Sequence, residues 1–533
     1  MACSKNEKQL KVLITDPISQ CCIDILKENK IDVVYKPKLA LEEILKEIPD
    51  YEILVVRAST KVTKEVINVA SKLILIGRAG TGVDNVDLDC ATRKGVYVMN
   101  VPGGNTISAA EHACAMMLAL AREIPQACYS LKACKWDRSG FVGTEMQGKT
   151  LGVVGLGRVG REVAFRMQAF GMNTIGYDPI VTAESAKKIG FELVSLNDLW
   201  PLADFITLHV PLDAQTKHLI NDEVFGKCRQ GVRIVNISRG GIIDESALVR
   251  ALQSNKCGGA ALDVFAEEPP QNFTLIQHPK VICTPHVGAN TAEAQLEVSK
   301  QMALQIVDFV NHKALTGVVN APVSKAMSIE NQPWVELSRS LGQLLAALIS
   351  KEKKKEFQVN VTVYGGPTLD FLAELVRVSA LTGIMGYILR QKCTIINSTL
   401  LAHEHNVKIF VDVTPTAPSH YGFDEGMIMG INEINCTESL VGFIRQKVAV
   451  LHSINNSVFE SPVPLSQRLL IYSKTKTPDI VQVMNGLMKS NVVVNAMYCS
   501  KPNNEWFVVS TSSDKKTNIA EGVKPSIDEL LVA

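Results

Sequence analysis

Val153-Val-Gly155-Leu-Gly157-Arg-Val-Gly160 lies between an apolar run, Thr150-Leu-Gly-Val-Val154, and a segment with helical periodicity. The G-x-G-x-x-G spacing has a physical reading. Gly155 permits a tight turn, Gly157 lets the backbone approach a pyrophosphate, and Gly160 lets the following helix pack on the strand. The first turn of that helix presents unpaired N–H groups and the positive end of its dipole, which suits a phosphate. The next apolar run, Asn173–Tyr177, is followed by Asp178, about 18 residues beyond Gly160. A carboxylate there accepts hydrogen bonds from an adenosine ribose diol and repels a 2′-phosphate, so the ligand read here is NAD and not NADP. An ordinary strand–turn–helix glycine cluster is the competing reading, and the acid after the next strand weighs against it.

On either side of this motif, short Val/Ile/Leu-rich runs alternate with amphipathic segments. The first hundred residues predict strands at Lys11–Thr15, Ile31–Tyr35, Ile53–Val56, Leu73–Ile76 and Val96–Met99, with helices such as Leu41–Glu47 and Lys64–Ala70 between them. The second series predicts strands at Thr150–Val154, Asn173–Tyr177, Phe205–Val210, Val232–Ile237, Gly259–Val264 and Val281–Thr284. That texture describes parallel sheets covered on both faces, an α/β fold with two doubly wound domains. Ser108-Ala-Ala-Glu111 reads as a capping box starting a helix to about Glu123, and a long helix is expected from about Thr291 to Val310. Pro322–Pro333 reads as a linker. Beyond it come a helix at Trp334–Lys351 and an alternating strand at Phe357–Tyr364. The closing residues read strand (Leu469–Ser473), helix (Asp479–Lys489), strand (Val492–Cys499), strand (Glu505–Ser510).

Composition narrows the function classes. The 533 residues hold 55 Lys plus Arg against 54 Asp plus Glu, for a net charge of +1. A protein that lives on phosphate backbones or anionic membranes carries a basic excess, so neither nucleic acid nor membrane is expected as a partner. No apolar h-region opens the chain, and no run of about 18 apolar residues stands out, the richest stretch being Ala113–Ala121. The 13 cysteines have no C-x-x-C spacing, so they read as reduced thiols in a cytoplasmic protein, with neither a disulfide framework nor a zinc site. His403-Glu-His405 lacks further ligands at metal spacing and reads as a solvated helix turn, Lys351–Glu356 as a solvated connector. No metal site is expected.

Three segments each end a predicted strand: Val235-Asn-Ile-Ser-Arg239, Leu262-Asp263-Val-Phe-Ala-Glu267-Glu268-Pro269, and Thr284-Pro285-His286-Val-Gly-Ala. Ligands in open α/β sheets sit at the carboxyl ends of strands, so these loops should converge. Together they hold what oxidation of a hydroxy acid needs. Arg239 binds the carboxylate and polarises the developing carbonyl. His286 takes the hydroxyl proton. Glu268 pairs with the other ring nitrogen and favours the imidazolium. Taken singly, a His after Pro or two acids before prolines are more often structural; the order after a dinucleotide motif is what raises them.

In these segments the chain resembles the NAD-dependent D-2-hydroxyacid dehydrogenase family, whose catalytic trio is Arg, Glu and His in that order. Val55-Val-Arg57-Ala-Ser-Thr60, Gly77-Arg78-Ala-Gly-Thr81-Gly-Val-Asp84, Gly95–Asn100, Asn105 and Lys135-Trp136-Asp137-Arg138 narrow the resemblance to its long, phosphoglycerate-oxidising members. The resemblance is strong to about residue 325 and weaker beyond. It implies Arg239, Glu268 and His286 as catalytic residues. It also implies an NAD site lined by Thr81, Gly155, Gly157, Arg158, Val159, Gly160, Asp178, Val210, Ile237, Ser238, Arg239, Asp263, His286, Val287, Gly288 and Ala289. Val210 stands where the pattern often has Thr, losing a hydroxyl contact. Arg57 and Arg78, ending adjacent strands, would hold a substrate phosphate, with Asn105 and an Arg138 arriving from a partner subunit.

The implied reaction is oxidation of 3-phosphoglycerate to 3-phosphohydroxypyruvate, the entry to serine synthesis, in a homo-oligomer, dimer or tetramer. The implied domains are a discontinuous substrate domain (1–103 and 293–321) closing on the NAD domain (104–292), an intervening allosteric-type domain (325–460) and an ACT-like module (461–533). The last two are smaller α+β domains. Serine-sensing modules of that kind carry an acid-x-x-Gly turn; Lys476-Thr-Pro478-Asp479-Ile has no Gly, so weak or absent serine inhibition is expected. The alternatives are a hydroxypyruvate/glyoxylate or 2-oxoglutarate reductase, and an NAD-sensing corepressor-like protein on the same fold.

Overall fold

The structure is a computed structural model that describes residues 10–465 apart from 189, 272, 312, 322, 324–328, 350–356, 366–368, 418, 420–421 and 434–435, and then 468–473, 493–501, 506–511 and 528–530. The expected 351–356 connector and the expected Asp479–Lys489 helix lie outside the described residues. By their contacts the residues fall into two compact units, Met1–Val101 with Gln301–Ala533, and Pro102–Lys300.

The first hundred residues form a five-stranded sheet of β1 (Lys11–Ile14), β2 (Asp32–Tyr35), β3 (Ile53–Val56), β4 (Leu75–Arg78) and β5 (Tyr97–Asn100). The order is β2-β1-β3-β4-β5 and every pair is parallel. Ile53, Leu54, Val55 and Val56 are all fully buried, as expected of a central strand with helices on both faces. The 2-1-3-4-5 order is a doubly wound topology with its own crevice at the carboxyl edge.

Residues 150–283 build a seven-stranded sheet of β6 (Thr150–Val154), β7 (Asn173–Tyr177), β8 (Glu192–Leu193), β9 (Phe205–Leu208), β10 (Val232–Asn236), β11 (Cys257–Leu262) and β12 (Val281–Cys283). Its order is β12-β11-β10-β9-β6-β7-β8, again all parallel. The chain reverses direction of winding between β6 and β9, so the ligand crevice of this sheet opens beyond their carboxyl ends. The two-residue β8 was not anticipated; a run that short carries no period. The Thr106–Ala121 helix starts two residues before Ser108, so Ser108 is inside it and not its cap; Asn105 holds the cap position.

The remaining chain carries a ten-stranded sheet of β13 (Phe357–Tyr364), β14 (Val407–Thr414), β15 (Gly426–Glu433), β16 (Cys436–Arg445), β17 (Val448–Ile454), β18 (Ser457–Pro464), β19 (Arg468–Ser473), β20 (Val494–Lys501), β21 (Trp506–Thr511) and β22 (Asp528–Leu530). The order is β14-β13-β15-β16-β17-β18-β20-β21-β19-β22. A boundary at residue 460 would cut β18, which pairs with β17 on one side and β20 on the other. The Gln332–Ile349 and Leu369–Leu389 helices pack on this sheet, with Leu341, Leu345, Val376 and Ile384 at 1% exposure or less. Residues Leu372–Leu389 are apolar and long enough to cross a membrane by composition, yet this stretch supplies the shared core of helix and sheet.

The His403–His405 turn is exposed, as expected, and on that surface Glu404 is ion-paired with Arg93. Asn397 Nδ2 and Lys392 Nζ donate to the carbonyls of Arg93 and Leu73. These contacts join the first sheet to the Lys392–Glu404 segment within one unit.

The two long helices meet at glycines. A Cβ on Gly383 would lie 2.0 Å from the Arg339 carbonyl oxygen, and one on Gly342 2.4 Å from that of Ala380. Neither backbone can give way without separating the helices. Gly383→Ala should therefore destabilise by about 1–3 kcal/mol, read by chemical denaturation; an unchanged midpoint would show that the helices do not need this approach.

Candidate active site

The glycine motif adopts the geometry its spacing asks for. Gly155 has φ +97°, and a Cβ there would sit 2.5 Å from the His209 carbonyl oxygen. A Cβ on Gly160 would meet the Gly155 carbonyl at 2.0 Å. Around Gly157 a Cβ would meet nothing within 4 Å: the loop faces open space where the Arg158–Ala169 helix begins, and no side chain caps that helix end. Asp178 accepts from Leu156 N–H (2.9 Å) through Oδ2 and from Ile180 N–H (2.9 Å) through Oδ1, which holds the acid beside the glycine turn. Open loop, free helix N-terminus and adjoining carboxylate fit a dinucleotide. Arg158 lies against Gly103, and Val210 follows β9. His209, beside Val210, is kept neutral by burial, which pushes its imidazole down to about 4.

At the neighbouring strand ends the three loops meet. Asn236, the last residue of β10, takes the Ser238 N–H (3.0 Å) and hydroxyl (2.9 Å) and donates to the Arg239 carbonyl (2.8 Å), which shapes the 237–239 turn. Gly240 passes so close to the next loop that a Cβ would be 1.7 Å from the Phe265 oxygen. Backbone contact of that kind brings the Arg239 loop against the loop carrying Glu268. Glu268 then receives Phe265 N–H on Oε1 (3.2 Å) and faces His286 Nδ1 through Oε2 at 2.7 Å.

His286 has φ +54°, a conformation rare for a residue with a Cβ. Asp263 sustains it. This fully buried acid accepts from Thr284 Oγ1 (2.5 Å), Val287 N–H (2.9 Å) and Gly288 N–H (2.8 Å), and its own carbonyl takes His286 N–H (2.9 Å). Burial alone would raise the Asp263 carboxyl; its donors, His112 and Thr284 foremost, bring it below the ordinary range. The hydrogen bond to Glu268 raises the His286 imidazole. Burial is the strongest influence on Glu268 and pushes it up, but the His286 hydrogen bond and charge together with the Phe265 N–H bring the carboxyl below its ordinary range. With Nδ1 engaged, Nε2 is the nitrogen left to exchange a proton with a ligand. A cavity of about 400 Å³ borders the pair, lined by Phe265, Pro269, Ile276, Cys283 and Pro285 among others.

Arg57 and Arg78 lie in the other unit, Arg78 closing β4 opposite Val56 and Arg57 just past the end of β3. Buried Asp16 takes the N–H groups of Arg57 (2.5 Å) and Thr60 (3.1 Å), and Asn85 donates to the Arg57 carbonyl (2.7 Å). Thr81 Oγ1 donates to the Val101 carbonyl (3.3 Å). Arg138 is exposed on a stretch without helix or strand. Sequence reasoning missed Asp16, Asn85, His112, Asn236 and Thr284. Asp16 and Asn236, each following an apolar run, carried a local signal. Among the described residues no group of three His, Cys, Asp or Glu side chains could hold a metal.

The linked pKa shifts have a defined sign. The raised imidazole adds stability that is complete below about pH 6.5 and lost as pH rises through its folded value; the lowered carboxyl adds stability that is complete above about pH 4.3 and lost as pH falls through its own. Glu268→Gln should lower the His286 pKa in an NMR titration and flatten the decline of Tm above pH 6.5. An unmoved imidazole would mean that Glu268 is not what raises it.

Residues 114–288 match the model for the NAD binding domain of D-isomer specific 2-hydroxyacid dehydrogenases. The chain is 46% identical to human D-3-phosphoglycerate dehydrogenase over 483 residues, 90% of each chain. It is 42% identical to the Archaeoglobus fulgidus enzyme of that name over 75% of this chain and 76% of the other. Among solved structures, the D-lactate dehydrogenase of Aquifex aeolicus, complexed with NAD and lactic acid, superposes with a TM-score of 0.51 at 29% identity, over 56% of this chain and 95% of that one. A glyoxylate reductase from Paecilomyes thermophila gives 0.52 at 29%, over 57% and 96%.

Proposed function

The chain belongs to the D-3-phosphoglycerate dehydrogenase family of the D-isomer-specific 2-hydroxyacid dehydrogenases, and from that membership we propose how its residues divide the NAD-dependent oxidation of 3-phosphoglycerate to 3-phosphohydroxypyruvate, the first step of serine synthesis. The observation that carries the assignment is the 2.7 Å His286–Glu268 pair, with the Arg239 loop against the loop of Glu268, in the same unit as the glycine motif.

NAD, when bound, supplies the acceptor for the hydride at C2 of the hydroxy acid. Gly155, Gly157, Arg158, Val159 and Gly160 would hold its pyrophosphate, and Asp178 its ribose. Val210, Ile237, Ser238, Asp263, Val287, Gly288, Ala289 and Thr81 would line the rest. His286 Nε2 takes the hydroxyl proton, and Glu268 stabilises the imidazolium that forms; in the reverse direction the same nitrogen returns the proton. Arg239 presents a planar set of donors to the substrate carboxylate and favours charge building on the C2 oxygen. Arg57 and Arg78 are assigned to the phosphate, with Asn105 and a partner subunit's Arg138 as further substrate contacts.

A homo-oligomer, dimer or tetramer, is the proposed assembly. Ile124, Tyr129, Leu131, Trp136 and Val142 are all more than half exposed within one short stretch, a concentration of apolar surface that suits an interface. The described cysteines are free thiols, which supports a cytoplasmic setting. For the C-terminal residues the reading is an intervening allosteric-type domain and an ACT-like module. Strands β20-β21-β19-β22 form an antiparallel ferredoxin-like order, which supports the second. The Lys476–Ile480 turn lies outside the described residues. With no Gly in it, serine at millimolar concentration should leave the steady-state rate nearly unchanged; strong inhibition would overturn that part of the reading.

Following NADH consumption with 3-phosphohydroxypyruvate beside hydroxypyruvate, glyoxylate and 2-oxoglutarate tests the substrate. The phosphorylated oxoacid should have the highest kcat/KM. Arg57→Ala should cut that value about 10–100-fold, as expected for a lost charge-assisted hydrogen bond, while hydroxypyruvate loses little. Equal losses would remove Arg57 from the phosphate site, and NADH binding without turnover would favour a sensing role.

A further inference from the structure

The Thr106–Ala121 helix is rich in Ala, Met and Leu, yet it carries two polar side chains four residues apart on one face, Ser108 and His112. Both reach the same loop. Ser108 Oγ lies 2.7 Å from Thr291 Oγ1, and His112 Nε2 lies 3.0 Å from Thr284 Oγ1. Thr284 and Thr291 bracket the Pro285–Asn290 segment that contains His286, Val287 and Gly288. One helix face thus ties both ends of the loop on which the proposed chemistry depends.

Proton counting gives the His112 tie a direction. Thr284 has one hydroxyl proton, and its 2.5 Å contact with the acceptor-only carboxylate of Asp263 commits that proton there. Toward His112, Thr284 must therefore accept, so Nε2 carries the hydrogen. The same nitrogen is 3.3 Å from Asp263 Oδ1. The loop also passes closely over the pair: a Cβ on Gly288 would be 3.0 Å from Asp263 Oδ2 and 3.5 Å from His112 Cδ2. Asp263, with no solvent contact, has only protein donors to compensate its charge.

We propose that His112 is a positioning residue for cofactor binding and hydride transfer: the chain His112 N–H to Thr284 O–H to Asp263 carboxylate fixes the acid that clamps the Val287 and Gly288 amides, and with them the backbone of His286. His112 touches neither substrate nor cofactor in this scheme. Its effect passes through Asp263. The inference rests on the dehydrogenase reading for its kinetic consequence, but its structural core, the ordering of the 284–288 loop, does not need a particular substrate.

The test uses the full-length protein and two readouts, NADH titration by fluorescence and kcat with KM for 3-phosphohydroxypyruvate. His112→Phe keeps the ring volume and removes the donor. It should raise the NADH Kd about tenfold and lower kcat by a similar factor, with KM for the oxoacid within about twofold. His112→Gln restores an N–H donor and should recover most of both losses. A role confined to packing predicts the opposite ranking, Phe near wild type and Gln impaired. Thr284→Val should reproduce His112→Phe, Thr284→Ser should not, and the Phe/Val double variant should lose little more than either alone.

Wild-type behaviour of His112→Phe, failure of Gln to rescue, or additive losses in the double variant would each overturn the proposal. If His112→Phe does not fold, the Thr284 pair decides the same question. Should wild-type protein bind NADH yet turn over none of the oxoacids, the dehydrogenase reading fails, and the NADH titrations still decide for or against His112.

Discussion

A carboxylate buried at the carboxyl end of a strand has to be met by donors inside the protein, and the loops that carry those donors are held in the process. Asp263, just past β11, is fully buried and gathers the Thr284 hydroxyl with the Val287 and Gly288 amides. Without these bonds the burial of its charge would cost several kcal/mol. The bonds form only if residues 284–288 follow one path, and that path places His286 at positive φ, facing Glu268. The His286–Glu268 geometry is here a consequence of satisfying a buried acid.

The other α/β sheet repeats the device. Asp16, just past β1 and 2% exposed, takes the N–H groups of Arg57 and Thr60 and the Thr60 hydroxyl. Asn85 closes the same turn from the next strand's loop through the carbonyls of Arg57 and Thr60. In both sheets the acid sits where parallel strands end and backbone groups lose their ladder partners, so it serves as a substitute for the missing strand. Loops braced in this way can carry arginines or a histidine without relying on those side chains for their own order.

Close backbone approach supplies the second constraint. Gly155, Gly160 and Gly240 each stand where a Cβ would come within 2.5 Å of a carbonyl oxygen. The first two let the helix sit on its strand and leave amides pointing outward. The third lets the Arg239 loop and the Phe265–Glu268 loop lie backbone against backbone. Only glycine can stand at such positions.

Much of this was legible in the chain itself. The glycine spacing, the acid at 178, and the order Arg239, Glu268, His286 follow from residue type and periodicity, because a parallel sheet demands apolar runs of one length and puts its ligands at one edge. Strands Ile53–Val56, Thr150–Val154, Asn173–Tyr177 and Phe357–Tyr364 match their expected limits to the residue, since each is bounded by abrupt changes of polarity. What remained hidden shares one property: it depends on partners far apart in sequence. His112 and Thr284 are 172 residues apart and Asn85 and Arg57 28 apart, and no local pattern marks such pairs. Ser108 looked like a cap because its neighbours fit the motif, but the helix had already begun and its hydroxyl was taken by Thr291. The sequence alone determined which chemistry the strand ends carry, because side-chain type and period act locally. Only the tertiary structure decided which buried acids and hydroxyls hold those residues in place, because hydrogen-bond satisfaction in a core is settled by what packing brings together.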